Sequence, residues 1–352
     1  MSTIDGVPGE SRTTPTPLSV RPARPADRPA LLALGHPPAV VQALVPSIAR
    51  RLTWTLSGAR LSTLLAQEGR DGAVLGSVQF IRAWRRSGTW MFGYWRVTSG
   101  RRRQGIGGLL LRQGVGLLPG LHHLFSHVDW GNDVSSLAHQ RLGFEAGDRI
   151  WGSASLGALS TIGAAAPAVR LEEVARSRWR ELFPIYLKAM GDLWPRLFPG
   201  LGENDFLTTQ AAEAPPSPAA GLAPGLVVPL SLWTVHPDRA VAGFVLARGS
   251  AVTLYADPAA CDAPLLARVA IRLIGMGMPR GRTIALRGLP RDLAGRSGPI
   301  TARTLMGMPD AERLLEGAGL APRSSRRRRE LMQAPSASPE RRSPHGPPWR
   351  RR

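Results

Sequence analysis

The chain has a single cysteine, Cys261, and a single lysine, Lys188, among 352 residues. One thiol excludes an intrachain disulfide and any metal site built from several cysteines. His122 and His123 are adjacent, with no Cys or carboxylate cluster around them, so no metal site is expected. Long apolar runs are missing too. Residues 151–169 carry no charge but are mostly Gly, Ala, Ser and Thr, and the uncharged run 214–235 is broken by prolines, so neither reads as a membrane span. The first 17 residues include Asp5, Pro8, Glu10, Pro15 and Pro17 without an apolar core, unlike a signal peptide. A cytoplasmic protein with no membrane association is expected.

Acidic residues are scarce as well. Lys and Arg number 45 against 25 Asp and Glu, a formal net charge of +20. Such a balance ordinarily points to a polyanion partner. Here nearly all the cations are Arg, and Ala, Gly and Pro abound, which reads as a GC-rich coding bias. Part of the charge lies in Arg326–Arg329 and Arg350–Arg352. Nucleic-acid contact is therefore expected only weakly, through the tail.

Against these absences stands one dense stretch, Val97-Thr98-Ser99-Gly100-Arg101-Arg102-Arg103-Gln104-Gly105-Ile106-Gly107-Gly108. The run Trp90–Val97 before it is aromatic and β-branched, as strands are. Ile106, Leu109, Leu110 and Leu117 after it share one face at helical spacing. The glycines thus fall where a strand ends and a helix begins. Backbone N–H groups at a helix start attract anions, and glycines let a ligand approach them. Val97, Arg102, Arg103, Gln104, Gly105, Ile106, Gly107 and Gly108 form a candidate pyrophosphate cradle. No Lys-Ser or Lys-Thr follows, and the spacing is not that of a dinucleotide-binding turn.

Arg102-Arg103-Gln104-Gly105-Ile106-Gly107 reads as R-x-x-G-x-G and resembles the acetyl-coenzyme A loop of the GNAT N-acetyltransferases. A second stretch, Asn132 to Phe144, resembles that family's other signature: an Asn opens a helix that ends in Leu142-Gly143-Phe144. Asn132 is a good N-cap and Gly143 suits a left-handed C-terminal position. The resemblance covers residues 18 to 155 and implies an α/β fold with a mixed sheet.

Strands are expected over 18–21, 61–68, 73–84, 89–98, 122–129 and 144–154, the last as more than one strand. Helices are expected near 24–34, 39–52, after 105 and after 132. The second half repeats the order more faintly, with a last strand over 329–333 preceded by a worn helix over 311–320. Four parts follow: a disordered segment 1–17, a GNAT-like domain 18–160 with the cofactor loop, a degenerate copy 165–334, and a disordered Arg- and Pro-rich tail 335–352. In the copy, Asp257 and Asp262 stand where the loop would be and would repel a pyrophosphate.

The resemblance implies acetyl transfer from acetyl-coenzyme A to a primary amine by direct attack. In many members a Tyr four residues before the Gly of Gly-Phe serves the departing thiolate; here that position is His139, either a proton donor or a helix residue without a role. Residues 89–99 hold no acid, so Asp129 is the candidate base or ammonium holder, or else a solvated residue. Tyr94 is an alternative donor. Asn132 is implied to contact the pantetheine arm, besides capping. The acceptor is a small-molecule or peptide amine of open identity, and nothing speaks to oligomeric state. The missing Tyr and acid leave a second reading, a non-catalytic acetyl-coenzyme A-binding or nucleic-acid-associated protein.

Overall fold

A computed structural model describes residues 17–45, 61–69, 72–82, 88–118, 120–162, 168–204, 206, 230–238, 240–249, 251–294 and 298–316. The first half runs β1 (Leu18–Pro22), α1 (Arg28–Ala33), α2 (Pro38–Leu44), β2 (Leu61–Glu68), β3 (Val74–Arg82), β4 (Thr89–Val97), α3 (Ile106–Leu117), β5 (His123–Asp129), α4 (Asp133–Arg141) and β6 (Glu145–Ser155). After the short α5 (Leu156–Leu159) the order recurs: β7 (Arg170–Glu173), α6 (Phe183–Met190), α7 (Leu193–Leu197), β8 (Leu230–His236), β9 (Gly243–Arg248), β10 (Ala251–Ala256), α8 (Ala263–Gly275), β11 (Thr283–Leu289), α9 (Arg291–Ala294) and β12 (Thr301–Met308), then α10 (Arg313–Glu316). Both halves therefore read β-α-α-β-β-β-α-β-α-β.

All twelve strands form one sheet, in the order β1-β2-β3-β4-β5-β12-β6-β11-β10-β9-β8-β7. The halves exchange their last strands. β12 pairs antiparallel with β5 of the first half, Arg303 facing Asp129 and Leu305 facing His127. β6 pairs with β11 of the second half, Ile284 facing Ala154. The sheet is continuous between the segments 18–160 and 165–334; β12 and β6 lie side by side at its centre, with Arg303 facing Trp151.

Two faces are covered. α3, with Ile106, Leu110, Leu111 and Val115, packs on one face over Leu64, Val78, Phe80 and Leu124, and α8 covers the same face in the second half. Period-two alternation sends the neighbouring residues Leu65 and Phe125 to the other face. There Leu65 meets α1 and α2, and Phe125 meets Tyr186, Met190 and Trp194 of α6 and α7. Among the described residues no helix is long and apolar enough to cross a membrane.

One expectation needs correction, and one strand was not expected. The segment expected as more than one strand is the single strand Glu145–Ser155, and the unexpected strand after β11 is Thr301–Met308. Thr301–Met308 lacks an alternating pattern because its two faces, Leu305 on one and Met306 on the other, are both buried; central strands hide from period-two reading. The worn helix expected over 311–320 is described as Arg313–Glu316; its residues 317–320, the strand expected over 329–333, residues 1–16, most of the 203–229 connection and the tail lie outside the described residues.

Candidate functional site

The site begins where β4 leaves β5. The two strands pair in parallel only over Thr89–Met91 against His123–Phe125. β4 then bulges. Gln79 of β3 faces Gly93, but Ser77 faces Arg96, so one extra residue enters β4. Tyr94 takes it up at φ 50°, a left-handed conformation that a bulge imposes on a non-glycine residue. A Cβ on Gly93 would meet nothing within 4 Å, so there is open space where the strands part.

The loop that follows builds the cradle. Ser99–Arg101 forms a single tight turn, Arg103 lies at φ 64° and Gly105 at φ 79°. Gly105 is the N-cap of α3, and the first helical bond is from Leu109 N–H to the Gly105 carbonyl at 2.9 Å. The N–H groups of Ile106, Gly107 and Gly108 precede that bond and are left over by the helix. A Cβ on Gly105 would meet nothing within 4 Å, and residues 101–105 are exposed. A pyrophosphate fits here: free donors, a helix start and two exposed arginines surround open space. Gly107 is glycine for another reason. Its Cβ would lie 2.7 Å from Trp95 Cζ2, so the indole packs directly on the helix backbone. Val97 ends β4 and packs on the α3 core.

His139 lies on the α3 face. It is 2% exposed, stacked on Phe92 and set edge-on to Trp95 and Phe144, with all three ring centroids 5.3 Å away. Its Nδ1 lies 2.7 Å from the Ser135 carbonyl. A carbonyl can only accept, so Nδ1 carries the proton and Nε2 keeps its lone pair. Nε2 is buried without a partner. Burial holds the imidazole below its ordinary pKa, partly offset by the Ser135 bond. The ring is thus neutral, and Nε2 can accept a proton but has none to give.

Asp129 is on the opposite face, with Phe125 and His127. Its Oδ1 accepts from Arg303 Nε at 2.8 Å, an ion pair open to solvent. The two candidate catalytic residues are therefore not brought together. Asn132 caps α4 by accepting from Ser135 N–H at 3.1 Å. Tyr94 is turned toward α1 and α2, edge-on to His36 at 6.3 Å. Burial raises its phenol above the ordinary value.

Sequence reading passed over three residues, placed at different points along the sheet. His36, 3% exposed, has Nε2 2.7 Å from Ser77 Oγ and is pushed down to about 4, by burial first and Arg96 second. Arg303 arrives on the exchanged strand. Arg287 of β11 stacks over Trp151 at 4.4 Å. Pairing across the sheet places Arg303 and Arg287, and packing of the α1–α2 turn on β3 places His36, so no local pattern could have found them. Among the described residues no group of His, Cys, Asp or Glu could hold a metal ion.

The second half differs at the corresponding place. β10 stays paired with β11 from Val252 to Tyr255, so the strands do not part. The Asp262 carboxylate caps α8 through Leu265 N–H at 2.6 Å, filling the position an anion would take.

No family model matches the chain, and no curated protein matches it. Solved structures do. A GCN5-related N-acetyltransferase from Sphaerobacter thermophilus aligns over 83% of this chain and 95% of its own, at 14% identity and TM-score 0.43. A tandem GNAT protein from the clavulanic acid biosynthesis pathway aligns over 84% and 99%, at 12% identity and TM-score 0.40. A GCN5-related N-acetyltransferase from Kribbella flavida aligns over 83% and 70%, at 14% identity and TM-score 0.34. At such identities and scores the likeness does not extend to chemistry.

Proposed function

For a chain with the GNAT fold, its element order present in each half, we propose acetyl transfer from acetyl-coenzyme A to a primary amine, carried out by the first half. The carrying observation is the coincidence of two features at one point: a left-handed loop opening α3 and the parting of β4 from β5. The backbone N–H groups of residues 103–108 hold the pyrophosphate, with Arg102, Arg103 and Gln104 around it. Asn132 and the open side of Gly93 face the pantetheine arm. The bound coenzyme supplies the acetyl group as an activated thioester.

The chain's own groups orient and shield. The unpaired edge of β4 beyond Met91 offers backbone donors to the thioester carbonyl, where negative charge develops during attack. His139 positions Phe92 and Trp95 beneath the gap; acting as an acid would require moving its proton to Nε2 and giving up the Ser135 bond. The attacking amine reaches the gap from the α1–α2 side, where His36, Tyr94 and Asp129 lie, and loses its proton to water on that side.

Calorimetry with acetyl-coenzyme A tests the reading, followed by thiol release with a panel of amines. One equivalent should bind, because β10 and β11 leave no slot. Two equivalents would overturn the assignment to the first half. Binding without release to any amine would favour the non-catalytic alternative.

A further inference from the structure

Across the centre of the sheet, on the face of α6 and α7, side chains from both halves stand in a row. Asp129 of β5 faces Arg303 of β12, Arg303 faces Trp151 of β6, and Arg287 of β11 stacks on Trp151. Opposed residues of antiparallel strands share a face. The row lies at the end of β5 where β4 has already departed. Arg303 is thus the second half's contribution to the mouth of the first half's gap.

Its guanidinium is only partly used. Nε donates to Asp129, and among the described residues neither Nη has a partner. The side chain is 38% exposed, so a solute can reach it. The bond to Asp129 fixes the plane of the fork. Arg287, by contrast, is 5% exposed and donates to the Leu286 carbonyl at 3.0 Å, so it adds field rather than a contact. The positive field is felt by the neighbours. His127, with its ring centroid 4.6 Å from that of Trp151, is pushed down to about 3 by burial first and then by Arg287 and Arg303. Arg303 also opposes the rise at Tyr94. Arg303 thus brings a cationic side chain, partly open to solvent, beside the place where an amine must arrive.

We infer that the acceptor carries a carboxylate next to its amine, and that the free Nη groups of Arg303, steered by Asp129, bind that carboxylate. A guanidinium fork matches a carboxylate in a bidentate, planar arrangement. The substrate class is accordingly that of amino acids and their close derivatives. The inference rests on the acetyl-transfer reading above.

The experiment uses the full chain, acetyl-coenzyme A and matched acceptor pairs: an amino acid and the amine left when its carboxylate is removed, such as phenylalanine with phenethylamine and tyrosine with tyramine. The expected result is a kcat/KM preference for the carboxylate-bearing member. Arg303→Gln should raise KM for that member about 10- to 100-fold, the loss of a charged hydrogen bond, and leave the decarboxylated amine and acetyl-coenzyme A affinity unchanged. Arg303→Lys should recover part of the preference. Asp129→Asn should weaken it less than Arg303→Gln. A merely structural Arg303 would move both members together. Equal kcat/KM for both members in the wild type, or an unchanged ratio in Arg303→Gln, overturns the carboxylate site and leaves acetyl transfer standing. No transfer to any member of any pair overturns both.

Discussion

Gly105→Ala puts the cradle to the sharpest test. Gly105 sits at φ 79° with nothing within 4 Å of where a Cβ would be. A methyl group therefore meets no neighbour, and its whole cost is conformational. An L-residue in the left-handed region costs roughly 1–2 kcal/mol. The next residue, Ile106, is 1% exposed and anchors α3 in the core, so relief must come from the exposed side, residues 101–104. In the free protein that side relaxes; on binding a pyrophosphate it must return. Up to the full 1–2 kcal/mol then appears as lost affinity, about 5- to 30-fold in Kd for acetyl-coenzyme A. Gly100→Ala is the matched control. It also has open space around its Cβ but no positive φ, and its Kd should stay within about 2-fold of wild type, a surface change of little consequence. Calorimetry reads both. Equal Kd for Gly105→Ala and wild type would show that the left-handed turn is not part of the binding conformation. Gly107 would be a poor probe, since any side chain there strikes Trp95 before it meets a ligand.

Other expectations follow from the histidines. His139→Phe keeps the aromatic packing and removes an unpaired buried nitrogen, so stability should change by less than about 1.5 kcal/mol and turnover should persist. His139→Ala should cost about 3 kcal/mol of stability by opening a cavity. A 10²-fold loss of turnover in a well-folded His139→Phe would restore the proton-donor role. His36 governs acid stability. Its folded pKa is about 4 against about 6.5 unfolded, so the fold prefers the neutral ring. Its contribution is complete above about pH 6.5 and lost as pH falls toward 4. The drop sets a ceiling of about 3 kcal/mol, and solvent screening reduces it to roughly 2. Urea unfolding between pH 7.5 and 4 should show that much less acid loss in His36→Gln than in wild type; parallel pH curves for the two would remove His36 from the account.

The local parts of this protein were legible in its residues. Trp90–Val97, the glycines 105, 107 and 108, Asn132 and Gly143 place a strand, a helix start, a cap and a helix end, because each of these is fixed by nearest neighbours and backbone sterics. The repeat of element order was legible for the same reason. β12 was not. Thr301–Met308 is flanked by strands on both sides, and its second half, Leu305–Met308, is buried on both faces, so that part shows no polar alternation to announce it. Nor could spacing foretell that His139 and Asp129 stand on opposite faces of the sheet, or that Asp129 meets Arg303 from 174 residues away.

The sequence by itself determined where a left-handed turn opens a helix after β4, the candidate cradle of the proposal, since such a turn is a property of a few consecutive residues. The tertiary structure alone decided who shares the site. Hydrogen bonding between strands is indifferent to distance along the chain, so the sheet could set β12 beside β5 and β6 beside β11. That exchange carries Arg303 to the mouth of the gap between β4 and β5, a place no local pattern could assign to it.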